Sequence, residues 1–344
     1  MEKFRDKIFN EEVFETYRKT LESTKENSLI KNALFTVVNK YKSKMSEQSG
    51  GYAVVEPIKG RIGGTPVNYD GNTDIPKGAE RDTFYQRKIC YGRAQSWGEY
   101  DFASDITGAN FKAEAQEVNE YWDEQRQSTV LAILEGIFGM SGGVDGQFVS
   151  KHTYDITASA SPNLGADSLN RAAQKALGDK KAKFDVIFMH SAVSTNLEGL
   201  NLIDFLKYTD EAGIQRDLTI GTFNGKLVVV DDEMPVTTDS TGEIYTSYVF
   251  KKGFFEYENI GAEVPSEIAR DAYGKGGKTD LITRVREMIV PTLISYKGTG
   301  TVSPTNSNFA NGSNWELVNN DKAGDDKVYV DDKLIPVARV ISRG

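Results

Sequence analysis

A single cysteine, Cys90, and two histidines, His152 and His190, are all that the 344 residues hold of the side chains best suited to bind soft metals. One thiol excludes an internal disulfide framework and permits a reducing compartment. Two imidazoles and a thiol on separate segments cannot build a zinc site without several carboxylates. Long apolar runs are missing too. No window approaches the ~18 apolar residues of a membrane span, and the charged opening from Met1 to Glu12 does not read as a secretory signal. Positive charge is in deficit. Net charge is -9, with ten Lys/Arg against eight Asp/Glu over residues 1–48 and 31 against 42 over the remainder. Phosphate contacts need a basic footprint, so an acidic body argues against adhesive nucleic-acid binding. The length favours two compact units, and 39% hydrophobic residues suffice for their cores.

What is present is organised around residues 111–138. Asn110 offers an N-cap, and Phe111, Ala115, Val118 and Trp122 follow at helical spacing, with Glu114, Glu117, Glu120 and Asp123 on other faces. The pattern then thickens into Val130, Leu131, Ile133, Leu134, Ile137 and Phe138 before Gly139 and Gly142-Gly143 stop it. Such a helix reaches roughly 42 Å at 1.5 Å per residue. Its first half is amphipathic and its second half apolar on most faces, which predicts one end on a surface and the other engulfed.

Residues 1–44 read as helical, with one stripe of Ile30, Ala33, Leu34, Val37, Val38 and Tyr41 and a shorter one of Val13, Phe14, Tyr17 and Leu21. Two readings stand: a hairpin packed on its own domain, or an arm that docks on a neighbouring subunit beyond the polar break at residues 46–51. From Tyr52 to Tyr100 turn residues crowd in, including Pro57, Gly60, Gly63-Gly64, Pro66, Gly71, Pro76 and Gly78, between strand-like runs Tyr52–Val55 and Thr83–Tyr91. This stretch lacks the apolar residues for a core of its own. It predicts an extended β-hairpin covered by something else.

Beyond the long helix, Asn163 to Leu177 predicts a helix ended by Gly178, and Val186–Met189 a buried strand. Ser191 would cap the next helix, with Leu200, Leu202, Ile203 and Leu206 as a further apolar surface. Asn224-Gly225 before the run Lys226–Val230 predicts a type I′ hairpin. Tyr245–Phe250 and the apolar stretch Ile282–Ile294 read as strands. Without regular βαβ spacing, the class is α+β.

The motifs weigh little. Ala272-Tyr273-Gly274-Lys275-Gly276-Gly277-Lys278-Thr279 ends like a phosphate-binding loop, but Ala272 replaces the first glycine. Ser266–Asp271 before it reads as a turn of helix or a charged loop, where that motif requires a buried strand. Asp70-Gly71-Asn72-Thr73-Asp74 starts like a calcium loop, yet Ile75 and Arg81 stand where glycine and glutamate belong. A turn closed by side-chain bonds to backbone is the simpler reading. His190-Ser191 are neighbours on one strand end and do not face each other as a nucleophile pair. Asp231-Asp232-Glu233 before Pro235 reads as a solvated strand end. No catalytic, cofactor-binding or metal residue is assigned.

The order of arm, long hairpin, isolated long helix and α+β body resembles the major capsid proteins of tailed bacteriophages, with their Hong Kong ninety-seven-like shell fold. GGTPVNYDGNTDI (63–75) is similar to the extended loop of one branch of that family. RAQSWGEYDFASDITGAN (93–110) and EVNEYWDEQRQSTVLAILEGIFGM (117–140) resemble its lead-in and spine helix. FDVIFMHSAVSTNLEGLNLIDFL (184–206) and IGTFNGKLVVVDDEMPV (220–236) resemble its axial domain, and SPTNSNFANGSNWELV (303–318) a C-terminal stretch.

The resemblance implies an N-terminal arm at 1–48 and an extended loop at 49–98. It implies a peripheral domain of 99–145 and 250–295 with the spine helix 111–138, and an axial domain of 146–249 and 296–344. It further implies a shell subunit that catalyses nothing. Such a subunit forms hexamers and pentamers of an icosahedral virion head and encloses double-stranded DNA without reading its sequence. Assembly would take place in the bacterial host cytoplasm, away from membranes, with a portal and a separate scaffolding protein, since the chain has no room for an N-terminal scaffolding domain. Some family members crosslink a loop lysine to a neighbour; Lys59 and Lys77 lie in the loop, but neither matches such a motif. Two other functions compete: an encapsulin-like compartment shell of the same fold, from which the GGTPVNYDG stretch leans away, and a nucleotide-binding enzyme using the 274–279 Gly/Lys loop.

Overall fold

A computed structural model of the chain describes residues 35–47, 52–63, 65–75, 81–101, 115–209 and 215–344. Its longest strand, Lys278–Pro291, mixes β-branched residues with threonines and charges, a composition that suits a pleated and mostly covered surface. Four other strands gather round it into one sheet. Tyr91–Tyr100 pairs antiparallel with residues 278–287, Ser266–Asp271 with residues 278–283 and Phe255–Asn259 with residues 287–291. Phe35–Val37 adds a parallel edge strand beside Phe255–Tyr257.

Side chains alternate across a strand, so this sheet has two distinct faces. On one lies the long helix, Ala115–Phe138. Trp122 is buried there, its indole N–H donating to the Thr283 hydroxyl at 3.2 Å. One turn further along, the Arg126 guanidinium donates to the buried Glu287 carboxylate at 2.8 Å, which also accepts the hydroxyls of Tyr257 and Tyr91. Val130, Ile133, Leu134 and Ile137 then carry the same helix into the main core, all with no exposed area. On the opposite face Met288 and Val290 pack with Tyr41, Met45, Cys90 and Ile260.

A second sheet of eight strands holds Val186–Met189 near its middle, between Lys226–Val230 and Gly242–Phe250. That strand is an unbroken apolar run because both faces are covered. Val186 and Phe188 join the core beneath the long helix, while Ile187 and Met189 meet the helices Ser168–Leu177 and Ser191–Gly199 through Leu169, Ala173, Val193 and Leu197. Asn224 and Gly225 have φ of 50° and 71°, as a type I′ turn requires. Residues 306–317 close over the end of the long helix. Gly136 is needed there, because a Cβ would strike the Phe309 carbonyl, which accepts the Trp315 indole N–H at 2.7 Å.

Several expectations change. The apolar stripe ending at Tyr41 is not helical over its described part: Phe35–Val37 is a strand, and the helix there is Lys42–Glu47. Phe-Thr-Val-Val favours extended backbone, and the open edge at Phe255–Tyr257 supplies its partner. Residues 1–34, which hold Ile30, Ala33, Leu34 and the shorter stripe, lie outside the described residues, as do Asn110 and Phe111. The strand-like run expected to end at Tyr91 stops at Ile89, and a further strand, Tyr91–Tyr100, follows it. Ser266–Asp271 is a strand as well, exposed throughout, with its charges in cross-strand pairs such as Glu267 with Arg284. The helix predicted from Asn163 begins at Ser168, after a turn in which Ser168 Oγ accepts the Gly165 N–H. His190, and not Ser191, caps the next helix, its Nδ1 accepting the Ala192 N–H at 3.1 Å. That helix ends at Gly199 and leaves Leu200 55% exposed.

Candidate functional site

Ala53–Lys59 and Thr83–Ile89 form an antiparallel pair, the root of the hairpin. Its return strand is fastened along its length. The Tyr85 N–H donates to the Asn319 carbonyl at 2.8 Å, and the buried Gln86 amide donates to the carbonyls of Pro291 and Ile294 at 2.9 and 3.0 Å. The Arg87 N–H donates to Ser295 Oγ at 3.2 Å.

Lys88 is the unusual residue of this strand, with a side chain only 1% exposed. Its ammonium donates to the Tyr41 hydroxyl at 2.6 Å and lies 2.6 Å from Glu56 and 2.7 Å from Glu256. Tyr41 in turn donates to Glu56 at 2.7 Å. Burial alone would depress the Lys88 pKa, but its bonds to Glu256, Glu56 and Tyr41 carry it above the ordinary lysine range. Burial, aided by Glu56, pushes the Tyr41 hydroxyl up to about 12. Beside this cluster the buried Glu258 carboxylate accepts the backbone N–H groups of Lys40, Tyr41 and Lys42, which fastens the start of the helix Lys42–Glu47. None of these groups was singled out from sequence. Gln86 and Lys88 share the inward period of their strand, and that pair of polar residues on a covered face was the available signal.

The far part of the hairpin is different. Ile62 is 84% exposed, Tyr69 89% and Ile75 72%, and no described residue of the same chain covers them. The expected turn is present: Asp70 accepts the N–H groups of Asn72 and Thr73, and these bonds hold its carboxyl down to about 2. Lys59 is exposed near the far end of its strand, and Lys77 lies outside the described residues.

The phosphate-loop resemblance dissolves in three dimensions. Gly274–Gly276 is a single tight turn joining two antiparallel strands, and no helix follows to present N–H groups to a phosphate. Lys278 is paired with Asp280 at 2.7 Å. His152 packs against the Phe148 ring inside the core, whereas His190 sits at its helix cap. Asp231 is not solvated, as expected from sequence, but buried, where it and Glu233 accept the Gln127 amide of the long helix at 2.9 and 2.6 Å. A groove of about 1240 Å³ opens at the root of the hairpin, with Arg93, Arg284 and Arg286 on its walls and Cys90 among its lining residues. Burial pushes that thiol up to about 11, the reverse of what a nucleophile needs. Among the described residues no group of three or more His, Cys, Asp or Glu is arranged to hold a metal ion, and no helix is long and apolar enough to cross a membrane.

No family model matches the sequence. The major capsid protein of Bacillus phage SPP1 is 32% identical over 230 residues, which cover 66% of this chain and 67% of that protein. Among solved structures, the capsid of cyanophage Pam1 matches with a TM-score of 0.57 at 10% identity, over 94% of each chain. The capsid of Helicobacter pylori bacteriophage KHP30 matches with a TM-score of 0.53 at 12% identity, over 99% of each. These structural likenesses speak for the fold, and the sequence identity to the Bacillus phage protein speaks for descent. The chain belongs to the major capsid proteins of tailed bacteriophages, a non-enzymatic family of shell subunits with the Hong Kong ninety-seven-like α+β fold.

Proposed function

We propose that copies of this chain assemble as hexamers and pentamers into an icosahedral head around double-stranded DNA, with contacts between neighbours made through the extended hairpin. The observation that carries this reading is the hairpin's far part, whose Ile62, Tyr69 and Ile75 lie open in the single chain. Several large exposed apolar side chains on one segment suit an association surface. The acidic balance outside residues 1–48 suits a container that holds DNA without gripping it. In this reading 1–48 is the arm, whose residues 35–47 are docked on the subunit's own body, 49–98 the extended loop, 99–145 with 250–295 the peripheral domain, and 146–249 with 296–344 the axial domain. No residue has a catalytic, cofactor or metal role. A separate scaffolding protein and a portal complete the proposed set of partners, with assembly in the host cytoplasm. Electron microscopy of the purified chain, expressed with and without a scaffolding protein, tests the reading. Closed shells of one diameter are expected; a chain that stays monomeric at every concentration and with every scaffold overturns it.

A further inference from the structure

Lys88 takes its three acceptors from three separate parts of the chain: Tyr41 beside the edge strand Phe35–Val37, Glu56 on the outgoing hairpin strand, and Glu256 in the first sheet. The carboxylates keep access to water, with side chains 34% and 31% exposed, whereas the ammonium is 1% exposed. Three donors meet three acceptors, so the loss of one leaves a buried cation with an empty direction. Tyr41 also holds its backbone position through Glu258, and its ring packs with Met45, Cys90 and Met288. A shift of residues 40–42 therefore withdraws the hydroxyl from both Lys88 and Glu56. Lys88 can regain a partner only by admitting water between the paired strands at Val54–Lys88.

We propose that the Lys88 cluster couples residues 35–47 to the root of the extended hairpin, so that loosening either segment loosens the other. Such coupling is reciprocal by thermodynamic necessity. It makes the hairpin and the segment before it one mechanical unit, released together when either is pulled by a neighbouring subunit.

Hydrogen exchange on the full-length chain, with all variants in the same assembly state, tests this. Tyr41→Phe keeps the ring and removes only the hydroxyl with its bonds to Lys88 and Glu56, and should speed exchange across 53–59 and 83–89 by at least about fivefold, the loss of one or more hydrogen bonds. Glu56→Gln should speed exchange across 35–45 by a similar factor, while strands 242–250 and 337–342 stay unchanged. In a Lys88→Met background, Tyr41→Phe should have a smaller effect on hairpin exchange, because only its bond to Glu56 is then left to lose. The proposal fails if each substitution acts only within its own segment, if the control strands loosen equally, or if the Tyr41→Phe effect is undiminished without Lys88. Should Lys88→Met not fold, the two single variants still decide the matter.

Discussion

At the scale of single residues, Trp122 carries the contact between the long helix and the first sheet. It is buried against Thr283, one turn from the Arg126–Glu287 pair, so removing it opens a large cavity beside a buried ion pair. Trp122→Ala should cost ~3–5 kcal/mol, read as a lowered urea midpoint of the unassembled chain, while Asn119→Ala on the exposed face should leave the midpoint in place. An unchanged midpoint in Trp122→Ala would contradict the packing. His152 predicts a pH effect. Its Nδ1 lies 2.6 Å from the Val337 carbonyl and so carries the donated proton, while Nε2 is buried without a hydrogen-bond partner. Burial holds its pKa below the ordinary histidine value. The unfolded chain therefore binds the second proton more readily, and stability present above about pH 6.5 is lost as pH falls towards the depressed folded value. His152→Gln, which can still donate to Val337, should show a flatter loss of stability between about pH 7 and about pH 5.5. Equal slopes in both proteins would sink the assignment.

At the scale of elements, the hairpin divides into a fastened half and a free half. Gln86, Lys88 and the backbone of Tyr85 and Arg87 tie the root to the body, whereas Ile62, Tyr69 and Ile75 are exposed in the described chain. Replacing those three residues together by serine should leave the stability of the unassembled chain within ~0.5 kcal/mol per site and sharply reduce shell yield, measured by sedimentation. A matching fall in subunit stability would place the three side chains in the subunit's own core. The long helix and the Asn224-Gly225 turn were legible because their signals are local, a 3.6-residue period in one and two residues of positive φ in the other. The strands 91–100 and 266–271 were not. Residues 91–100 pair with 278–287, far along the chain, and residues 266–271 pair with 278–283 across a short Gly-rich turn; in each case the pairing overrode a turn-rich or charged composition.

At the scale of the whole molecule, residues 35–47 belong to the body. They supply an edge strand, the buried Tyr41 and Met45, and the backbone amides held by Glu258. Deleting residues 1–34 should leave a cooperatively melting chain, whereas deleting 1–46 should lower the melting temperature markedly or abolish cooperative melting, because it strips the sheet of an edge and Lys88 of its Tyr41 hydroxyl. Calorimetry of the two truncations separates the cases; equal melting would mean that 35–46 is an appendage.

By itself the sequence determined the α+β class, the long helix with its engulfed end, and the hairpin. Each of these follows from composition or from periodicity within some thirty residues. Tertiary structure alone decided that Phe35–Val37 is a strand, that Lys88 is buried among Tyr41, Glu56 and Glu256, and that Asp231 is drawn under the long helix to meet Gln127. A short apolar run fits strand or helix until an open sheet edge selects one. A charged side chain reads as solvent-facing until distant segments converge to satisfy every one of its hydrogen bonds.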